Sequence, residues 1–76
     1  MKQTGLIYEI QLEGYLDKRW ADWLYGMSLS YTPEGRTILT GRLPDQAALH
    51  GVIGKILDIG IPLISVKRID PYEQLD

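Results

Sequence analysis

Leu16-Asp17-Lys18-Arg19-Trp20-Ala21-Asp22-Trp23-Leu24-Tyr25-Gly26 is the stretch on which the reading of this chain turns. It holds both tryptophans of a 76-residue chain that contains no phenylalanine. Asp17 reads as an N-cap, its carboxylate placed to accept from the free amides of a first turn. Gly26 reads as the left-handed stop, so Lys18–Tyr25 is expected to be a short helix. Trp20, Trp23 and Leu24 then stand at i, i+3 and i+4, on one stripe. Each buried aromatic contributes on the order of 150–250 Å². Two indoles can therefore cover sheet that a two-turn helix of aliphatic residues would leave bare, and the packing reading outweighs a ligand platform.

Working outward, Leu6 to Glu13 alternates. Leu6, Tyr8, Ile10 and Leu12 share one side, and Ile7, Glu9, Gln11 and Glu13 the other, which is the period of a half-buried strand. After Gly26, Met27, Leu29 and Tyr31 alternate with Ser28, Ser30 and Thr32 as a second strand. Thr32-Pro33-Glu34-Gly35-Arg36 is a turn, with proline presetting one angle and glycine taking a positive φ. Arg36–Leu43 follows as a third strand, antiparallel to the second. Asp45 caps a second helix with an apolar stripe of Leu49, Val52, Ile53, Ile56 and Leu57. Gly60 and Pro62 end it, Ile61 reaching back to Ile56, and Leu63–Ile69 is the last strand.

Strand, helix, strand, strand, helix, strand predicts an α+β class: a ferredoxin-like βαββαβ two-layer sandwich. Its four-stranded antiparallel sheet has the order 4-1-3-2, with both helices on one face. The whole chain, 1–76, reads as a single domain, with 1–5 and 70–76 as loose tails. A chain of this length buries only roughly 60–65% of its unfolded surface, so its core is small.

Composition narrows function. The net charge is −2, from ten acidic and eight basic residues, and the two signs are interspersed. No basic field gathers a nucleic-acid backbone. Cysteine is absent, which removes disulfides, thiolate metal sites and thiol nucleophiles. The alternating N-terminal segment reads as neither signal peptide nor membrane span, so a cytoplasmic protein is expected. The expected open sheet face carries Glu9, Gln11, Glu13, Ser28, Ser30, Thr40 and Ser65, with no aromatic for stacking bases. The chain also has no asparagine and no cysteine pair, which sets it apart from acylphosphatases and copper chaperones of this fold. No cofactor or metal is expected. His50, the sole histidine, faces Ile53 and Gly54 at i+3 and i+4 and has no ligand partner there. Glu9 and Glu13 stand about 13 Å apart on an extended strand, too far for a hydrolytic pair, and are expected to meet Arg42 or Lys67 instead. Ala47, Gly51 and Gly54 form a row of small residues on the second helix, read as a close-packing surface.

The segments YEIQLEGYLDKRWADW and TILTGRLPDQAALHGVIGKILDIGIPLISV together carry a resemblance. They are similar to a group of short bacterial proteins of uncharacterised function with a Gly-x-Leu-Asp-x-Arg-Trp opening and a Leu-Thr-Gly…Asp-Gln-Ala-Ala-Leu-His-Gly second half. The resemblance covers most of residues 8–66. It implies a small cytosolic bacterial protein and no activity, and Gly54 departs from it where a larger helix former is expected.

Two functional readings follow. The first is a non-enzymatic module that self-associates as a homodimer through Ile7, Ile38, Leu63 and Ile69, apolar residues expected on the helix-free sheet face. The second is a small-ligand sensor or weak enzyme for an anion or metabolite. Its site would lie where Asp17, Arg19 and Trp20 meet the end of the first strand, with His50 nearby. Arg19 would clamp the anion and an indole would wall the pocket.

Overall fold

A computed structural model describes residues 5–69. Four strands, β1 (Leu6–Glu13), β2 (Ser28–Tyr31), β3 (Arg36–Leu43) and β4 (Leu63–Ile69), form one antiparallel sheet. Its order is β2-β3-β1-β4, which read from the opposite edge is β4-β1-β3-β2. One α-helix, α1 (Gln46–Ile59), joins β3 to β4 across the intervening β1. The β1–β2 crossover skips β3 in the same way.

That crossover is where expectation and structure part. Instead of a helix over Lys18–Tyr25, it contains two 3-10 turns, Lys18–Trp20 and Asp22–Leu24. The expected two-helix layer is therefore corrected: among the described residues this α+β chain has a single α-helix, and a tight irregular strap stands where the first helix was expected. The strap's bonds are Trp20 N–H to the Asp17 carbonyl and Ala21 N–H to Lys18, then Leu24 N–H to Ala21, each at 3.0 Å. Runs longer than three or four residues are uncommon in this conformation, so the strap breaks at Ala21 and starts again. It ends at Tyr25, a non-glycine residue in the left-handed region with φ 63°, followed by Gly26 at φ 67°.

A buried threonine anchors the strap's entrance. The Thr37 hydroxyl accepts from Leu16 N–H at 2.9 Å and donates to the Gly14 carbonyl at 2.7 Å. Gly14 N–H in turn donates to the Gly35 carbonyl at 2.8 Å. The chain leaving β1 is thus tied to the start of β3, and Leu16 drops into the core. The core joins Tyr8, Ile10 and Leu12 of β1 to Leu39 and Leu43 of β3, Leu24 and Met27 of the strap, and Ala48, Leu49, Val52 and Ile56 of α1.

The second helix follows its sequence signals. The Asp45 carboxylate accepts from Ala48 N–H at 2.8 Å, and Gly60, at φ 93°, donates to the Ile56 and Leu57 carbonyls. Leu57 departs from the expected stripe and is exposed. Of the tail expected over 1–5, Gly5 alone is among the described residues. Its carbonyl receives a long hydrogen bond from Arg42, and a Cβ there would fall 2.2 Å from the Leu43 carbonyl oxygen. The rest of the expected tails lies outside the described residues.

Thr37→Val keeps the shape of the side chain and orphans one buried amide and one carbonyl. It is expected to lower unfolding free energy by about 2–4 kcal/mol. A urea melt checks this, and a midpoint equal to the parent's would show that the strap is held some other way.

Candidate functional site

The crossover gathers chemistry at the surface. Tyr15, Trp20, Trp23, Tyr25 and Tyr31 are five of the seven aromatic residues in the chain, and none of them is fully buried. Two pairs form among them. Tyr15 and Tyr31 meet edge-on with centroids 5.1 Å apart, and Trp20 and Trp23 meet at 4.9 Å with their planes tilted by 48°. The Tyr31 hydroxyl also donates to the Leu16 carbonyl, fixing β2 to the strap.

The indoles are placed by the three-residue turn. Trp20 closes the first turn and Trp23 sits in the second, and the break at Ala21 brings their rings together at a tilt instead of spreading them over the sheet. Trp20 is half-buried and packs against the core; Trp23 is 42% exposed. The first half of the packing expectation holds, and the second indole faces solvent.

Arg19 stands at the rim. Its backbone N–H donates to Asp17 Oδ1 at 2.9 Å, and its guanidinium lies 3.2 Å from Asp17 Oδ2. The backbone hydrogen bond first, and the side-chain contact next, hold the Asp17 carboxyl below its ordinary value. A lowered folded-state value means that this contribution is present at neutral pH and lost as pH falls through it. The pair lies in water and contributes little to stability.

Lys55 of α1 is the partner that sequence reasoning missed. Its ammonium donates to the Trp23 carbonyl at 3.1 Å and lies 5.2 Å from the ring centroids of both Trp23 and Tyr25. One cation therefore clasps the exit of the strap to the helix through a hydrogen bond and two cation–π contacts. Gly51 belongs to the same contact: a Cβ there would sit 3.3 Å from the Tyr25 hydroxyl oxygen. Gly54 faces open space. The two glycines of the small-residue row thus divide into one that receives a phenol and one that receives nothing.

Arg19, Trp20 and Trp23 line a shallow concavity of about 320 Å³. His50 does not join it. It is exposed on α1 and lines a separate concavity with Gln46 and Ala47. Asp17 pairs with Arg19, which shares the concavity with Trp20 and Trp23; Lys55 reaches Trp23 from α1 without lining it, and His50 lies apart. Among the described residues, no group of three or more histidine or acidic side chains is placed to hold a metal ion, and no helix is long and apolar enough to cross a membrane.

The expected self-association residues divide as well. Ile7, Ile38 and Ile69 share the helix-free face, where Ile7 pairs with Ile69 and Ile38 with Gln11. All three are half-buried. Glu9, ion-paired to Lys67 at 3.8 Å, lies between the two groups. Leu63 is a correction. A register shift opposite Gln11 and Leu12 leaves Ile64 as the extra residue, so Leu63 pairs with Leu12 and packs on the core.

A family model described as a domain of unknown function (DUF8691) matches residues 7–67. Neither the curated proteins nor the solved structures contain a match to this chain.

Gly54→Ala is expected to raise stability by about 0.5–1 kcal/mol, the ordinary helix-propensity gain in open space. Gly51→Ala is expected to give none of that gain, because its methyl group presses on Tyr25. Thermal melts of the two variants check the difference, and equal stabilisation would remove the packing role given to Gly51.

Proposed function

The chain belongs to the DUF8691 family, and we propose that it is a non-enzymatic, self-associating interaction module whose homodimer seam is the free edge of β4. The observation that carries this is aliphatic exposure at that edge. Ile64 and Val66 are 39% and 37% exposed on a strand that pairs, among the described residues, only with β1. Leu57, on the last turn of the helix that leads into β4, is exposed too. An unpaired edge also presents a row of backbone donors and acceptors to another strand.

The register favours a symmetric pair. Antiparallel pairing of two β4 strands about Val66 sets Val66 against Val66, Lys67 against Ser65 and Arg68 against Ile64. No like charges then stand directly opposite, and Lys67 already has Glu9 as an ion partner. Two-fold symmetry makes each contact occur twice. Fully burying each added valine or isoleucine contributes on the order of 1.5–3 kcal/mol, which a chain with a small core can use. The helix-free face is the weaker surface for this purpose, since its isoleucines are already half-covered and separated by Glu9.

The same reading treats the sheet, with its two strand-skipping crossovers, as a ferredoxin-like plan whose first helix has shrunk to a strap. It keeps the bacterial, cytosolic setting that the sequence resemblance implies.

Sedimentation equilibrium at micromolar concentration is expected to give a dimer. Val66→Lys, which places two ammonium groups face to face, is expected to give a monomer with an unchanged fold by circular dichroism. A parent chain that stays monomeric, or a Val66→Lys chain that stays dimeric, contradicts the seam.

A further inference from the structure

The concavity of the strap lies apart from β4 and has its own chemistry. Its walls are the Trp20 and Trp23 indoles, splayed at 48° with centroids 4.9 Å apart. Rings tilted in this way open as a wedge, and a flat guest can lay its face or edge against them in the offset or edge-on geometries that aromatic rings favour. A space of about 320 Å³ suits a small molecule and falls short of what a long chain would need.

The rim decides the charge of the guest. The Arg19 side chain is 87% exposed and meets Asp17 through one terminal nitrogen at 3.2 Å. A guanidinium has five N–H donors in a fixed fork, so donors remain for a second carboxylate while Asp17 steadies the group. Lys55 adds a second positive charge beside Trp23. A cationic guest would meet the Arg19 charge at the lining, and a neutral one would leave its fork unused.

We propose that Arg19, Trp20 and Trp23 form a binding site for a small planar aromatic carboxylate, its ring seated in the indole wedge and its carboxylate held by the Arg19 guanidinium. The site is independent of the β4 seam, and either can fail without the other.

Titration of the full chain with naphthoate, followed by tryptophan fluorescence and by the indole N–H signals in NMR spectra, tests it. Naphthamide is the neutral control of the same shape. Naphthoate is expected to bind saturably and shift both indole signals, with naphthamide about tenfold weaker, the usual scale of a charge-assisted hydrogen bond. Arg19→Ala is expected to bring naphthoate down to the naphthamide level and leave naphthamide unaffected, with Arg19→Lys in between. Trp23→Ala removes one of the two rings over Lys55 but keeps its hydrogen bond to the carbonyl of residue 23 and its contact with Tyr25, so it is expected to remove binding of both while the chain still folds, with only a modestly lower melting midpoint. The proposal is overturned by naphthoate failing to saturate, by equal affinity for the acid and the amide, or by Arg19→Ala leaving naphthoate binding unchanged.

Discussion

The Thr37 hydroxyl is the hinge on which this small fold depends. It is the one buried polar side chain among the described residues, and it satisfies a donor and an acceptor of the same short loop. Without it, the amide of Leu16 and the carbonyl of Gly14 would sit unpaired at the edge of the core, and each such group is costly. With it, the chain turns out of β1 at a fixed angle and delivers Leu16 into the interior. Everything that follows on the strap is placed from that point.

The strap in turn explains why so much aromatic surface is left outside. An α-helix of the same length would turn its apolar stripe onto the sheet. Two short 3-10 turns broken at Ala21 present no such continuous stripe, so Leu24 goes inward, Trp20 lies half-covered and Trp23 faces water. The far end is then closed from outside by Lys55, whose ammonium reaches the Trp23 carbonyl and sits between two rings. One buried hydroxyl and one surface cation hold a segment that has little regular structure of its own. The surface they create has indoles and cations together, a combination common at binding hot spots.

Much of the sheet was legible in the residues. The alternation of Leu6–Glu13, the Pro33–Gly35 turn, the Asp45 cap and the Gly60 stop each rest on a local rule, and each stands in the structure. The strap was not legible as such, because Trp20, Trp23 and Leu24 satisfy a helical stripe and a pair of three-residue turns equally over so few residues. Tyr25 at positive φ had no signal either, since Gly26 beside it is the residue that ordinarily takes that conformation. Leu63 was misplaced for a different reason. Strict alternation back from Ile69 puts it on the open face, and a single extra residue at Ile64 reverses it. In the site, Asp17 and Arg19 declared themselves by local capping. Lys55 lies 32 positions from Trp23 in sequence, a pairing that only the packing of α1 against the strap reveals. His50 was drawn in by its side-chain type alone, and its helix face turns it elsewhere.

Amide hydrogen exchange at Leu16 tests the central claim most directly, because this amide ends on the Thr37 hydroxyl and on nothing else in the backbone ladder. The account predicts that Leu16 exchanges as slowly as Ile10 in the centre of β1, through global unfolding, while the amide of Trp23, a surface residue of the strap, exchanges through local opening. A Leu16 amide that exchanges at the rate of an open surface loop would contradict it, since the strap would then have no fixed entrance and its aromatic surface no fixed shape.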